Sequence, residues 1–112
     1  MTVTPGSMVV GSRVTRSHGL VYGNTIRARH VGRDILAALK NVVGGEIEEY
    51  TKLMAEAREQ ALDRMVAQAT QRGANAVINI RFSTSYIMGS ASEILAYGEA
   101  VVIEPESAAS NR

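Results

Sequence analysis

The sequence contains no cysteine, which excludes a disulfide framework and thiolate chemistry at a metal or catalytic site. No apolar run approaches the ~20 residues that a membrane-spanning helix needs. The N-terminus, MTVTPGSMVV, has neither the charged region nor the apolar region of a signal peptide. We therefore expect a cytoplasmic protein with no membrane partner.

The net charge is also small, at +1, and argues neither for nor against a nucleic-acid partner. The charges are unevenly distributed along the chain. Residues 1–45 carry six basic side chains and one acidic one, whereas residues 46–66 carry six acidic and three basic side chains. This division predicts that the two halves attract each other across neighbouring subunits.

The length of 112 residues fits one domain, which we place at residues 8–104. Residues 1–7 are polar and are predicted to form a flexible lead-in. Residues 105–112 are predicted to form a flexible tail.

Three segments have the composition of strands. Residues 8–27 are rich in β-branched residues and interrupted by glycine, which predicts either two short strands or one bulged ribbon. Residues 76–86 alternate between apolar and polar side chains, as in a half-buried strand. The last strand is predicted over residues 93–103, and the small residues of MGSAS form the turn before it.

Two segments have helical periodicity. A short helix is predicted to begin between Gly32 and Asp34, with Gly44 and Gly45 as its C-terminal stop. A long helix is predicted from about Glu46 to Arg72, ended by Gly73. The order of elements predicts an α+β fold with a small β-sheet, one short helix and one long helix.

The long helix is about 40 Å long at 1.5 Å per residue, which is large for a domain whose radius of gyration should be near 13 Å. Its apolar residues cover an arc of roughly 220°, more than one sheet face requires. The sequence therefore predicts that the helix packs partly against another subunit. The predicted interface residues are Tyr50, Met54, Ala57, Ala61, Met65 and Ala69.

The chain has two histidines, His18 and His30, which are the candidate metal ligands. A site would need carboxylates as further ligands, for example Asp34 or Glu93, and imidazole favours zinc, nickel or copper among divalent transition metals. Neither the number nor the spacing of the histidines matches a known ligand signature. The alternative is that both are ordinary surface or strand residues.

A series of arginines in the first half forms a candidate anion-binding surface. Few aromatic residues accompany them, so a stacking platform for single-stranded nucleic acid is not indicated. The alternative is a solvated face, or one paired with acids across an interface. The arginines are Arg13, Arg16, Arg27, Arg29 and Arg33.

No serine lies in a nucleophile-elbow pattern, and no histidine is linked by spacing to a nucleophile. An uncharacterised hydrolase is therefore the least favoured interpretation, and we expect a protein without enzymatic activity.

Three stretches together resemble one family of small bacterial proteins. They are GLVYGNTIRARHVGRDILAALKNVVGGEIEEYTKLMAEAREQALDRM, RGANAVINIRFSTS and EILAYGEAVVI. Their GRDI, NVVGG, GA-x-AV and YG-x-AV elements occur in the order of the YbjQ-like family, and the resemblance extends from Val9 to Glu104. Within YG-x-AV this chain has Glu99, where the family commonly has a small polar residue.

The resemblance implies a dodecin-like α+β subunit that assembles into a ring, typically a homopentamer or a multiple of it. The family is described as a heavy-metal-binding domain, but it offers no fixed cysteine and histidine set that could be matched to this chain. We therefore expect a ring-forming oligomer that binds a metal ion or small ligand between subunits. The alternative is anion or nucleic-acid binding through the arginines.

Overall fold

The computed structural model describes residues 1–28, 43–88 and 91–106. The elements, in chain order, are strand β1 (Thr2–Val3), strand β2 (Ser12–Ala28), helix α1 (Val43–Gln71), strand β3 (Ala76–Met88) and strand β4 (Ala91–Pro105). The predicted short helix lies outside the described residues.

The strands form one mixed sheet in the order β1-β3-β4-β2. The two long neighbours of β4 pair with it in antiparallel fashion, whereas β1 pairs with β3 in parallel. A four-stranded sheet with a long helix confirms the predicted α+β class.

Strand β2 is a single bulged ribbon, one of the two predicted alternatives. Its pairing with β4 shifts between Val14 and Arg16 and again between Ser17 and Gly19. Gly19 has a φ of +83°, a conformation that glycine adopts at little cost. The glycine therefore lets the chain bulge while the pairing continues.

Helix α1 begins at Val43, three residues before the predicted start at Glu46. Gly44 and Gly45 therefore lie within its first turn, and the prediction of a stop there is wrong. A glycine inside a helix costs only about 1 kcal/mol relative to alanine, which a helix of 29 residues can offset. Among the residues that the structure describes, no helix is both long enough and apolar enough to cross a membrane.

The C-terminal end of α1 confirms the prediction that Gly73 ends the helix. Gly73 has a φ of +88°, and its N–H donates to the carbonyl of Thr70 at 3.0 Å. The N–H of Ala74 donates to the carbonyl of Ala69 at 3.1 Å. These two bonds form a Schellman motif, which satisfies carbonyls that the helix itself leaves unpaired.

Helix α1 packs over one face of the sheet, and the main core lies between them. Val21 of β2, Met65 of α1 and Ile94 of β4 are almost completely buried there. A smaller cluster, formed by Ala76, Ile78 and Val101, packs with Val9 and Ile103. Because successive strand residues point to opposite faces, this second cluster lies on the face away from the helix.

The N-terminal segment is hydrogen-bonded along β3. The N–H of Thr4 donates to the carbonyl of Val77 at 3.0 Å, and the N–H of Ile80 donates to the carbonyl of Thr4 at 3.2 Å. Arg81 Nη1 donates to the carbonyl of Pro5 at 2.8 Å. Strand β1 was not predicted, because two residues are too short for a period-2 pattern.

Candidate functional site

Helix α1 lies over β2 and β4 and leaves the helix-facing side of β3 partly uncovered. A groove of about 410 Å³ runs between the helix and β3, with Leu62 and Phe82 among its walls. It continues as a further volume of about 280 Å³ past Val3, Pro5 and Ile80. We call the two parts together the β3 groove.

The β3 groove combines an apolar floor with a charged rim. Phe82 is 48% exposed, a large apolar surface for a folded subunit to leave in water. The rim on α1 carries side chains of both signs, which are Lys52, Glu56, Arg58 and Glu59. An apolar centre with a polar rim is the usual arrangement of a surface that binds another protein or an amphipathic ligand.

The sheet face away from the helix presents a second apolar surface. Leu20, Tyr22 and Ile26 of β2 are 63%, 51% and 56% exposed. They alternate with Val21, Gly23 and Thr25, which are buried beneath the helix. We call the exposed side of β2 together with the neighbouring residues of β4 the open face.

At the free edge of β2, on the other side of the sheet from β3, side chains of α1 and of Arg72 directly after it reach over the strand. Arg64 Nη1 donates to the carbonyl of Asn24 at 2.6 Å, and Arg72 Nη1 donates to the carbonyl of Leu20 at 2.6 Å. The N–H of Tyr22 donates to Gln68 Oε1 at 2.8 Å. We call Arg64, Gln68 and Arg72 the edge clamp, because they occupy backbone groups that an added strand would otherwise use.

The edge clamp was not recognised in the sequence. Its residues recur every fourth position, so they lie along one side of the helix. That spacing was visible, but it did not show that the side faces a strand edge.

The arginines predicted to bind anions differ in their surroundings, and two of them have partners within the subunit. Arg13 pairs with Glu104 of β4 at 3.5 Å, and both side chains are largely exposed. Arg27 Nη2 donates to Gln60 Oε1 of α1 at 2.7 Å. Arg16 is exposed on β2. The predicted Arg29 and Arg33 lie outside the described residues.

Most of the predicted interface residues pack inside the subunit. Ala57, Ala61, Met65 and Ala69 are fully buried against the subunit's own sheet, and Met54 packs beside them. The remaining member, Tyr50, has no described side chain. In this conformation the four buried residues cannot also offer a surface to a second copy, so such a surface must consist of other residues.

The family assignment rests on a match over nearly the whole chain. Residues 1–104 match the model of the YbjQ family, described as "putative heavy-metal-binding". The chain belongs to the YbjQ family. The predicted resemblance is thereby confirmed.

Relatives in this family are numerous and similar along their full length. A UPF0145 protein of Dehalococcoides mccartyi strain BAV1 is 55% identical over 104 residues, covering 93% of this chain and 100% of that protein. A UPF0145 protein of Acinetobacter baylyi is 53% identical, covering 87% and 90% of the two chains. One of Pyrococcus abyssi is 54% identical, covering 93% and 91%.

A solved structure has the same fold. It is a crystal structure of a protein of unknown function of the DUF74 family from Pediococcus pentosaceus, which superposes with a TM-score of 0.64. The match covers 93% of this chain and 98% of that chain at 12% sequence identity. None of these proteins carries a catalytic activity in its name.

The YbjQ family description raises the question whether side chains of this subunit could coordinate a heavy-metal ion. Within residues 1–28, 43–88 and 91–106, no three histidine, aspartate or glutamate side chains come close enough to hold an ion. His18 is half-buried in β2, and His30 lies outside the described residues. Soft metals prefer thiolates, which this chain lacks. The described part of one subunit therefore does not fit a heavy-metal site.

Glu99, the departure from the YbjQ pattern, lies on β4 at the open face. Its Oε2 accepts a hydrogen bond from the Ser17 hydroxyl at 2.6 Å. Glu93 lies six residues earlier on the same face, and its Oε2 accepts a hydrogen bond from Asn24 Nδ2 at 3.0 Å. Two carboxylates with neutral partners thus belong to the open face.

Proposed function

We propose that this protein is a non-enzymatic subunit of a homo-oligomeric ring, typically a pentamer, which binds a small ligand or metal ion between subunits. The observation that carries the proposal is the pair of exposed apolar surfaces, the β3 groove and the open face. Each exposes large apolar side chains beside polar ones, as surfaces that bind a partner commonly do.

The two surfaces differ in shape and in residues, which favours contact between unlike surfaces of neighbouring copies. The β3 groove is concave and centred on Phe82. The open face is a strand surface from which Leu20, Tyr22 and Ile26 project. A head-to-tail contact of this kind generates a closed ring whenever the rotation between copies closes.

The shape of the subunit supports a partner as well. The radius of gyration is 18.9 Å and the principal extents are 66 × 24 × 17 Å. A compact domain of this length would have a radius of gyration of about 13 Å. An extended subunit exposes apolar surface that assembly can bury.

Native mass spectrometry of the freshly purified protein tests both parts of the proposal. It reports the number of subunits and the mass of any ligand or metal ion that the ring retains. We expect a single closed species with one ligand mass per interface. A wild-type protein that remains a folded monomer at micromolar concentration would contradict the proposal.

Two charged variants test which surfaces are used. Phe82→Glu places a charge in the β3 groove, and Tyr22→Glu places one on the open face. The second change keeps the hydrogen bond that the N–H of residue 22 donates to Gln68 Oε1. Each variant alone should give smaller species, because the transfer of a charge into a dry interface is costly. Gln71→Glu, at the exposed C-terminal end of α1, is the control and should assemble like the wild type.

Mixing the two disabled variants tests whether the contact is head-to-tail. The intact open face of the Phe82→Glu chain can dock into the intact groove of the Tyr22→Glu chain, so heterodimers should form without rings. If the mixture stays monomeric while each variant folds, the contact does not join these two surfaces.

A further inference from the structure

Two bulges meet at the same level of the sheet, one on each side of β4. The β2–β4 pairing shifts between Ser17 and Gly19, and the β3–β4 pairing shifts between Ile78 and Arg81. Both shifts lie next to Glu99, which pairs with Leu20 on one side and with Ile78 on the other. Bulges bend strands and re-aim side chains, and they are frequent beside functional sites.

A concavity of about 340 Å³ lies at this level of the sheet, with Glu99 among its lining residues. We call it the Glu99 cup. It is lined by Gly19, Leu20, Asn79, Tyr97, Gly98 and Glu99.

The backbone at Asn79 adds an independent observation. Asn79 has a φ of +55°, the only positive value recorded for a residue other than glycine in the described chain. Its N–H donates to the carbonyl of Gly6 at 2.9 Å, so the N-terminal segment holds the residue in this conformation. Sparsely populated backbone conformations persist where surrounding structure imposes them, and they cluster at ligand sites.

The chemistry of the cup selects a positively charged ligand. Glu99 contributes a carboxylate whose recorded partner is a neutral hydroxyl, and no ion pair to it occurs within the described residues. Tyr97 and Asn79 line the same cavity, so an aromatic ring and a side-chain amide belong to the cup together with this carboxylate. A carboxylate, an aromatic ring and a neutral acceptor together recognise an ammonium or guanidinium group.

We propose that the Glu99 cup binds one organic cation, an ammonium or guanidinium group, held by the Glu99 carboxylate against Tyr97. The cation has two sources with the same chemistry. One is a free small molecule. The other is Lys52 or Arg58 on the groove rim of a second copy, which the proposed assembly brings against the open face.

The free-ligand source is tested by an NMR titration of isotopically labelled protein with methylguanidinium and n-propylammonium, with propionate as the anionic control. The cations should cause saturable shifts at the amides of Gly19, Tyr97 and Glu99. Glu99→Gln, which keeps the size and an acceptor for Ser17, should weaken binding about tenfold, as expected for loss of a charge-assisted hydrogen bond. Glu93→Gln on the same strand and face is the matched control and should bind within about twofold of wild type.

The second-copy source is tested by sedimentation velocity. Glu99→Gln should then weaken assembly about tenfold while Glu93→Gln does not, and Arg58→Gln or Lys52→Gln should reproduce the loss. Combining Glu99→Gln with the responsible rim variant should cause little further weakening, because both remove the same contact. This second experiment rests on the proposed function. If the wild type is monomeric, no second copy can supply the cation, and the NMR titration alone decides the proposal.

The proposal is overturned if the cations shift amide signals only outside the Glu99 cup and the Glu99→Gln variant also assembles as the Glu93→Gln variant does. The wild-type titration locates binding without any substitution, so a variant that fails to fold does not prevent this decision.

Discussion

At the scale of single residues, glycine sets how closely the helix approaches the sheet. Gly23 of β2 lies directly beneath α1, where an added Cβ would overlap the backbone of Ala61 and Met65 and come within 2.7 Å of Arg64 Cβ. Ala57 and Ala61 of α1 are small residues that are fully buried against the sheet, which permits this close approach. This close approach also brings the edge clamp within reach of β2.

Gly23→Ala should therefore destabilise the protein by about 1–3 kcal/mol, because the backbone of α1 must move to admit the methyl group. Urea unfolding followed by circular dichroism measures the loss. Gly6→Ala is the control, since its Cβ would lie 3.7 Å from Thr4 Oγ1, an ordinary contact. A Gly23→Ala variant as stable as Gly6→Ala would show that the helix does not approach β2 this closely.

At the scale of elements, β2 and β3 have edges that are occupied in different ways. The edge of β2 is covered by helix side chains, and the edge of β3 is covered at one end by the N-terminal segment. Long exposed edges invite pairing with other chains, so each device limits unwanted association.

Gln68→Ala should remove the acceptor for the Tyr22 N–H and should cost about 1 kcal/mol. The specific readout is hydrogen exchange, which should accelerate at the Tyr22 amide more than at its neighbours. Gln71→Ala, one turn away and exposed, should leave that exchange rate unchanged. Equal exchange at Tyr22 in both variants would remove Gln68 from the edge clamp.

Thr4→Pro tests the N-terminal pairing, because proline lacks the N–H that bonds to Val77. We expect a loss of about 1–3 kcal/mol and faster exchange at Ile80, whose N–H donates to the Thr4 carbonyl. Thr4→Ser retains both the N–H and the hydroxyl that accepts a hydrogen bond from the Gly6 N–H, and it should behave like the wild type. If Thr4→Pro matches Thr4→Ser, the segment does not stabilise β3 in solution.

At the scale of the whole molecule, two arginines of the basic first half, Arg13 and Arg27, make contacts within their own subunit. Arg13 contacts β4 and Arg27 contacts α1 of the same chain. Neither contact uses an acidic side chain of residues 46–66, so these two arginines do not take part in the predicted attraction between the basic and acidic segments. The proposed assembly therefore rests on the apolar surfaces.

If apolar contacts carry most of the proposed assembly, raising the salt concentration to about 1 M, where the Debye length is near 3 Å, should weaken it by no more than the loss of one ion pair and should not dissociate it. Sedimentation velocity at low and high salt measures this directly. Dissociation at high salt would instead favour the original prediction that charge holds the subunits together. Far-UV circular dichroism in both buffers provides the control for folding.

The sequence alone determined the type of the long elements, because periodicity, glycine placement and family motifs are local signals. They indicated the α+β class, the alternating strand β3 and the end of α1 at Gly73. Local signals also predicted an apolar arc on the long helix and alternating apolar side chains along β3. They did not show that Leu62 of the helix and Phe82 of the strand border one groove.

Only the tertiary structure decided which neighbour each apolar or charged face meets. Helical periodicity predicted a wide apolar arc on α1, but packing assigned Ala57 and Ala61 to the subunit's own core and left Leu62 at the β3 groove. The short strand β1 formed because β3 offered its edge. Arg64 reached the edge of β2 because Gly23 admits the helix so closely. A contact between distant segments depends on the relative position of whole elements, which no local pattern specifies.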